Sequence, residues 1–492
     1  MIAPALASAA LALFFPQHLR AAARARKDRC MDTNSIPPLA SLDYRAAPRG
    51  PINGSYSLVI AAIAWAVIIA CVGYVAFLSW RASKSPGRVE ATEDVQLLMT
   101  SRVLVGALHR LPQSTGPAAA MPAQAIANLE RTANPKQSLR LVSVVGELQG
   151  KQAAQAALDQ CASALTDPAD RADLAALRTI YSRGPDAVST HERTSFIAHE
   201  GWFAKLALSF GQPDDNPLRA SVLHDAKRVA IAGIAFEAAI GIGFLAGLAL
   251  LIIAIVLLAT GKLHRCYGRA PRHTTAFLEA FALYLVGYIS IGLLARKLGH
   301  GPLILGPALS LAWIIFAALW PLLRGVTWQG LVGGLGWYRG QGIFREAGAG
   351  IVGYLTGLPI IAFGLMLAYV LSTRTHTLMS HPIVFSDTRS AWAIIQIYLL
   401  ASVFAPLVEE TMFRGALFNH LRQRHGWLLS AAVSSFLFAA LHPQGWAAIP
   451  AIGGIGFVLA SIREWRGTFI ASAAAHALNN GVVTTLMILT LR

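Results

Sequence analysis

Apolar runs of about twenty residues recur along most of the chain, and one long polar segment interrupts them. The first run covers residues 57–80, and the polar segment follows at 81–228. The later runs lie at 230–259, 276–294, 303–323, 347–371, 392–413, 428–442, 446–461 and 468–490. Since about 20 apolar residues cross a bilayer as an α-helix, the pattern predicts about nine membrane spans.

The polar segment also has a helical pattern. Its apolar residues recur at helical spacing, and proline and glycine separate the stretches. The clearest stretches are 95–111, 138–165 and 169–181. We therefore expect an all-α, polytopic transmembrane bundle with an inserted all-helical soluble domain. No catalytic constellation appears in that domain, and we interpret His191, His199 and His224 as surface histidines.

This pattern divides the chain into five parts. They are a basic N-terminal segment (1–56), the first transmembrane helix (57–80), the helical domain (81–228), accessory transmembrane helices (229–344) and a C-terminal module (345–492). A second methionine, Met31, follows a basic stretch and opens a proline-rich one. We expect translation to start there, so that residues 1–30 are not part of the native protein.

Composition strengthens the membrane interpretation. The 492 residues are 55% hydrophobic and only 13% charged, whereas soluble domains carry about 25% charged residues. The formal net charge of +16 would suggest nucleic acid in a soluble protein. Here lysine and arginine collect in short loops that face the cytoplasm and anionic lipid. Since no nucleic-acid motif is present, the expected partners are membrane lipids rather than nucleic acid.

The positions of the basic residues predict the orientation. With the N-terminus in the cytoplasm, the outer short loops contain Arg296, Lys297, Arg374 and Arg389. The inner loops contain many more, namely Lys262, Arg265, Arg269, Arg272, Arg324, Arg339, Arg345, Arg422, Arg424, Arg463 and Arg466. The positive-inside rule therefore predicts a multi-pass protein of the cell membrane (a bacterial inner membrane) with a cytoplasmic N-terminus. Residues 81–228 then lie outside the cytoplasm, where they could bind a partner protein.

Three ionisable clusters interrupt the apolar helices near the C-terminus. They are Glu409-Glu410-x-x-x-Arg414, Phe438-x-x-x-His442 and His476-x-x-x-Asn480. A charge at the bilayer centre costs at least about 2.5–3.5 kcal/mol on insertion scales. Such groups need partners or water, so the clusters predict a polar site within the membrane.

Spacing assigns different tasks to the two glutamates. Glu410 and Arg414 are one helical turn apart with the acid first, which favours an ion pair. Adjacent helical residues point about 100° apart, so we expect that Glu409 and Glu410 do not face one partner together. Glu409 then has no local partner and is the candidate for chemistry.

The residue types suit hydrolysis of an amide. A carboxylate beside an imidazole can deprotonate water, and a second imidazole with a carboxamide can stabilise an oxyanion. Glu409, His442 and His476 could instead ligate zinc and leave one open position for water. The chain has no HExxH motif, which excludes the soluble zincin arrangement. Membrane glutamates and histidines also serve transporters, so that class stays open here.

The three clusters resemble the signature of the CAAX-processing and bacteriocin-processing (CPBP or ABI) intramembrane proteases, the type II CAAX prenyl endopeptidase family. Its pattern is EExxxR, FxxxH and HxxxN or HxxxD on successive membrane helices. All three occur here in order, and the Phe-Arg-Gly at 413–415 is also typical of the family. The resemblance covers roughly residues 345–490.

The resemblance implies an intramembrane endopeptidase that cleaves a membrane-associated protein or peptide. It implies that Glu409 and His442 activate water, that Arg414 holds Glu410, and that His476 and Asn480 stabilise the oxyanion. Members are often labelled metalloproteases, so zinc on Glu409, His442 and His476 is the alternative. A non-catalytic scaffold or bacteriocin self-immunity protein would retain the same motifs without cleavage.

Depth in the membrane sets one further expectation. If every span were a straight crossing, Glu409 would lie near the inner end of its helix and His442 near the outer end of the next. A helix running from 392 to 424 would be about 50 Å long at 1.5 Å per residue, which lets Glu409 lie at mid-depth. We therefore expect one long helix there and tilted or broken helices around 428–461.

Overall fold

The computed structural model describes residues 57–109, 117–131, 133–263, 265–267, 274–298, 305–375, 377 and 390–491. These residues are helical with no strand, which confirms the all-α class for this part of the chain. They form two compact units. The first contains residues 57–85 and 241–485, and the second contains residues 86–240 and 486–491. The predictions for 1–56, including a start at Met31, lie outside the described residues.

The helices are numbered in chain order. They are α1 (Leu58–Ser83), α2 (Pro86–Leu108), α3 (Pro117–Glu130), α4 (Pro135–Gln149), α5 (Lys151–Cys161), α6 (Pro168–Arg183), α7 (Thr190–Glu200), α8 (Trp202–Leu208), α9 (Pro217–Ala259), α10 (Ala276–Leu298), α11 (Leu305–Leu323), α12 (Trp328–Leu335), α13 (Ile343–Thr375), α14 (Ala391–Arg422), α15 (Trp427–Ala440), α16 (Ile449–Arg466) and α17 (Phe469–Leu491). The boundary between the two units falls within α9.

Six helical segments of the described chain are long and apolar enough to cross a membrane. They are Leu58–Ala82, Pro217–Ala259, Ala276–Leu294, Ile343–Thr375, Ala391–Arg422 and Trp446–Arg466. Two further apolar helices, Leu309–Leu323 and Trp427–Ala440, are shorter. The chain is therefore a membrane protein. The count of about nine crossings stays a prediction, although each predicted span does fall on a helix.

Glycines bring the C-terminal helices of the first unit close together. On α13, a Cβ at Gly350 would lie 2.1 Å from the Ala471 carbonyl oxygen, and one at Gly364 would lie 2.5 Å from that of Pro450. A Cβ at Gly357, midway between them, would lie 2.3 Å from a Val458 methyl. Small residues let membrane helices approach closely, and here they seat α16 and α17 against α13.

Aromatic side chains fill the core beside these helices. Phe413 of α14 makes edge-on ring contacts with Phe281 of α10 at 5.0 Å and with Phe438 of α15 at 5.1 Å between centroids. All three side chains are almost fully buried. Such T-shaped pairs add to the stabilisation from burial. They fix α14, which carries the two glutamates, against the helix that precedes His442.

The second unit has its own apolar core. Tyr181 of α6 is fully buried, and its ring lies against α4, where a Cβ at Gly146 would be 2.3 Å from the phenol oxygen. Burial raises the pKa of the Tyr181 hydroxyl. Capping boxes start α4 at Asn134 and α7 at Ser189. That residues 81–228 form a soluble domain stays a prediction.

Two of the three histidines expected at the surface of this unit are exposed, namely His191 and His224. His199 is half-buried, and its ring contacts Asp173. His199 is therefore a surface histidine whose ring also contacts a buried group of carboxylates.

Candidate active site

The helix that carries the glutamates departs from regular α geometry in two places. Leu400–Phe404 and Glu410–Leu417 are π-helical stretches within α14. The long helix expected here is present. Glu409 ends the intervening α stretch, and Glu410 begins the second π stretch. Single π turns within α-helices occur frequently at functional sites.

Glu410 and Arg414 form the ion pair that their spacing predicts. Arg414 Nη1 lies 2.9 Å from Glu410 Oε1, and both side chains are fully buried. Arg414 Nη2 also donates to the Gly456 carbonyl at 3.0 Å, and the guanidinium lies 4.5 Å from the centre of the Phe438 ring. A buried ion pair is stable only with such additional contacts, and these join α14 to α15 and α16.

His476 lies between the two glutamates. Its Nδ1 is 3.0 Å from Glu410 Oε1, and its Nε2 is 3.7 Å from Glu409 Oε2. The expectation that the two carboxylates cannot face one partner is wrong. The imidazole offers a nitrogen on each of two edges, and α14 changes from α to π geometry between the two residues. The second distance is too long for a hydrogen bond, so Glu409 and His476 face each other without being joined.

The partner of Nδ1 fixes the proton on the His476 ring. A carboxylate only accepts hydrogen bonds, so Nδ1 carries the proton that Glu410 accepts. In the neutral ring Nε2 is then an acceptor, and it becomes a donor only in the imidazolium. The ring is almost fully buried.

His442 lies just beyond the end of α15. Its Nδ1 donates to the Phe438 carbonyl at 2.6 Å, so a neutral His442 presents the Nε2 lone pair. The His442 ring also lies tilted against the Phe438 ring, with 4.4 Å between centroids, and the His476 ring contacts that ring edge-on at 5.8 Å. Phe438 is therefore the common support of both imidazoles and of Arg414. The Glu409 carboxylate interacts electrostatically with His442 as well.

The Glu409 carboxylate can accept a further hydrogen bond. Its side chain is 23% exposed. Oε2 itself is buried, and among the described residues it has no hydrogen-bond partner. Buried carboxylate oxygens in native structures nearly always have a partner. The missing partner marks the place for a water or a substrate group.

Asn480 lies one turn beyond His476 on α17, and its carboxamide is partly engaged. Nδ2 donates to the Ala401 carbonyl at 2.8 Å, and Oδ1 accepts from Asn479 Nδ2 at 3.1 Å. Asn479 in turn accepts from the Tyr354 hydroxyl at 3.2 Å. Ala401 lies in the first π stretch, so Asn480 also supports an irregular turn of α14. One amide hydrogen of Asn480 is left for another acceptor.

Some residues around the site carry no signal in the sequence. Tyr284 of α10 is buried and interacts electrostatically with Glu409. The Trp337 indole donates to the Thr411 hydroxyl at 3.1 Å. Tyrosine and tryptophan are common in apolar spans, so neither spacing nor composition distinguishes these two from packing residues.

Two further ion pairs anchor the helix ends. Arg422 at the end of α14 binds Glu464 of α16 through Nε and Nη2, at 2.9 and 3.0 Å. Arg466 binds Glu346 at the start of α13 at 2.6 Å. Arg422 and Glu464 lie 42 positions apart, and Arg466 and Glu346 lie 120 positions apart. No local pattern could therefore predict either pair.

The described side chains do not gather the zinc ligands predicted for this site. A metal site needs at least three His, Cys, Asp or Glu side chains with their donor atoms close together. Within the described residues, a group of this kind, with all donor atoms within 4.8 Å of one another, lies in the second unit. Among the described residues, Glu409, His442 and His476 do not form such a group. As placed, these residues do not fit a zinc ion, and zinc binding here stays a prediction.

Comparison with known proteins adds an independent observation. Residues 391–482 match a family model described as "Type II CAAX prenyl endopeptidase Rce1-like". The chain is also 35% identical over 104 residues to an "Uncharacterized 24.3 kDa protein" of Escherichia coli. That similarity covers 19% of this chain and 48% of the relative, so the chain spans about half of the relative's length. No solved structure matches. The matched range 391–482 contains all six of the site residues described above.

Proposed function

We propose that residues 391–482, which belong to the Rce1-like type II CAAX prenyl endopeptidase family, form the catalytic centre of an intramembrane endopeptidase. The observation that carries this proposal is the Glu409 carboxylate. It has a buried oxygen without a hydrogen-bond partner in the described structure, and it faces His476 and interacts with His442. A carboxylate oxygen that faces an imidazole and lacks a hydrogen-bond partner inside an apolar bundle favours a functional role.

Glu409 and His442 activate the attacking water. A water placed between them donates one hydrogen to Glu409 Oε2 and the other to His442 Nε2, since both atoms are acceptors. Its lone pair is then free to attack a carbonyl carbon. As the bond forms, the proton moves to Glu409, which later delivers it to the leaving amine.

His476 and Asn480 stabilise the negative charge that develops on the carbonyl oxygen. His476 donates from Nε2 only as the imidazolium, because Glu410 holds the Nδ1 proton. Asn480 offers the amide hydrogen that Ala401 does not use. Donors fixed in a water-poor site stabilise an oxyanion far better than donors in water do. Glu410 and Arg414 act as positioning residues, since they hold His476 and do not reach the reacting atoms.

The substrate class is a membrane-associated protein or peptide. The centre lies on an apolar helix in a part of the chain that is long enough to cross a membrane. Peptides reach it from within or beside the bilayer. A prenylated tail is not required by anything at the site. The helical second unit is a place where a partner or a substrate could be recruited.

Glu409→Gln tests this mechanism. The amide cannot take up a proton, so cleavage should fall about 10²–10⁴-fold, while abundance and helicity stay unchanged. New protein N-termini in membranes can be compared by mass spectrometry between the wild type, Glu409→Gln and His442→Ala. A pull-down with Glu409→Gln should retain uncleaved substrate. The matched control is Glu237→Gln, which alters another glutamate of an apolar helix outside the matched range.

Two outcomes would decide against parts of the proposal. If cleavage persists in Glu409→Gln, the proposed proteolytic mechanism is wrong, and the scaffold function is the alternative. Cleavage that a chelator abolishes and zinc restores would replace the metal-free water activation with a zinc centre.

A further inference from the structure

A second cluster of ionisable groups lies in the other unit of the chain. Asp170 and Asp173 are one turn apart on α6, and His199 and Glu200 end α7. One donor atom from each of these four residues lies within 4.8 Å of the other three. None of them falls in residues 391–482, so the cluster is independent of the proposed function.

Two carboxylate oxygens of this cluster are buried and lack a partner. Asp170 is 8% exposed and Glu200 is 5% exposed. Asp170 Oδ1 and Glu200 Oε1 are fully covered, and neither has a hydrogen-bond partner among the described residues. A buried polar atom left unpaired costs about 1–3 kcal/mol, and more when it is charged. Two covered carboxylate oxygens without a hydrogen bond, of which Glu200 Oε1 lies 3.6 Å from His199 Nδ1, point to a positively charged ligand.

The neighbouring cations do not balance the cluster. Arg140 is shared, because it binds both Glu200 and Asp94. Asp94 and Glu200 therefore share one guanidinium, and Asp173 contacts the His199 ring, while Asp170 adds a fourth carboxylate. Even a protonated His199 leaves an excess of two negative charges within this group. That excess is the charge of one divalent cation.

We propose that Asp170, Asp173, His199 and Glu200 bind a divalent transition-metal ion. An imidazole nitrogen among carboxylates is a donor set for zinc or manganese, whereas magnesium and calcium prefer oxygen alone. Ligand bonds of about 2.0–2.2 Å place the donors of a tetrahedral site about 3.4 Å apart. The four donor atoms lie within 4.8 Å of one another, so the side chains would turn inward to bind an ion.

The surroundings hold the donors in place. Arg140 fixes the second oxygen of Glu200, and the connection between α6 and α7 is tied down by Arg193, which donates to the carbonyls of Pro185 and Val188. The α7 helix starts with a capping box. A metal bound here would clip α6 to the end of α7 and stabilise the fold of the second unit.

The test uses the full-length protein in detergent, carrying Glu409→Gln and His442→Ala so that metal at the membrane segment is not counted. The protein is stripped with a chelator and dialysed against zinc or manganese, and its metal content and Tm are then measured. The test variants are Asp170→Asn and His199→Gln. The matched control is Asp159→Asn, which removes a carboxylate that is 78% exposed on α5 of the same unit.

We expect one equivalent of metal and a higher Tm with zinc or manganese, and neither with magnesium. Each test variant should weaken binding at least about tenfold, and the control should bind as the wild type does. Asp170→Asn removes an unpaired buried charge, so its Tm in chelator should not fall below that of the parent. A parent protein that binds no zinc or manganese at micromolar concentration would overturn the proposal, as would full binding by a folded Asp170→Asn variant.

Discussion

At the scale of single residues, the site depends on how one buried charge supports the next. Arg414 neutralises Glu410, and Glu410 orients His476 through Nδ1. The ring of Phe438 lies against Arg414 and both imidazoles. Removing one member of a buried pair strands the other, which is far more costly than removing both. The ion pair is therefore as much a requirement of the fold as of the chemistry.

The pair Glu410 and Arg414 gives a direct test of this argument. Arg414→Leu should lower the free energy of unfolding by about 3–5 kcal/mol, because Glu410 is left charged and buried. The double variant Glu410→Gln with Arg414→Leu should recover more than half of that loss. Its glutamine still accepts from His476. Thermal unfolding in detergent measures both effects.

The matched control for this test is Arg178→Leu, which breaks an exposed ion pair in the second unit. Its effect should stay within about 0.5 kcal/mol. Equal instability of the single and double variants would mean that the loss comes from packing and the Gly456 contact rather than from the stranded charge.

Residue-level contacts could be predicted from the sequence only where they are local. The Glu410–Arg414 pair follows from one-turn spacing. The bond between His476 and Glu410 joins residues 66 positions apart, and no periodicity encodes it. The cluster around Asp170 was missed for the same reason. Its two halves lie on separate helices and match no ligand-spacing motif.

At the scale of helices, apolar periodicity predicts that a helix exists but not its local geometry. The prediction treated residues 392–424 as regular, with 3.6 residues per turn. The two π stretches of α14 interrupt that regularity. Both glutamates reach His476 because its ring offers a nitrogen on each of two edges. The glycines of α13 that admit α16 and α17 are visible in the sequence, but their partners are not.

Glu147 links three helices of the second unit. It accepts from His109 at 2.7 Å and from both terminal nitrogens of Arg219, at 3.0 and 3.2 Å. Burial alone would raise the pKa of the Glu147 carboxyl, but these hydrogen bonds hold it below its ordinary value. A carboxyl whose pKa is lowered by folding contributes stability above its unfolded pKa of about 4.3. That stability is lost as the pH falls through the folded pKa.

Glu147→Gln should therefore lower the Tm at pH 7 and have much less effect near pH 3, where the wild-type carboxyl is also neutral. Thermal unfolding from pH 7 to pH 3 measures the difference between the two proteins. The control is Glu130→Gln, which alters an exposed glutamate at the end of α3 and should leave the Tm unchanged. A Tm difference that is constant over the whole pH range would show that Glu147 acts through packing rather than charge.

At the scale of the whole molecule, composition was enough to identify a helical membrane protein, because lipid admits few other structures. The number of crossings was harder to predict. Trp427–Ala440 is apolar but too short for a full span, so hydropathy cannot distinguish a crossing from a buried or re-entrant helix there. Three motifs carried the resemblance predicted for residues 345–490, within which the family model matches 391–482. The second unit has no motif that indicates its function.

The predicted orientation can be tested by asking whether the number of membrane crossings is odd or even. An odd number, such as nine, places the two ends of the chain on opposite faces, whereas six would place them on the same face. With the four native cysteines replaced by alanine, single cysteines are introduced as Asp159→Cys, Arg339→Cys and an addition after Arg492. Asp159 and Arg339 are both exposed, so labelling reports location rather than burial.

In sealed right-side-out vesicles, an impermeant maleimide should label the Asp159→Cys variant and the C-terminal cysteine. The Arg339→Cys variant should react only after the membrane is permeabilised, because arginine-rich short loops stay on the cytoplasmic face. A C-terminal cysteine that behaves like Arg339→Cys would reduce the crossings to an even number and make at least one of the short helices re-entrant. Protection of Asp159→Cys would instead move the helical second unit into the cytoplasm, where it could meet only cytoplasmic partners.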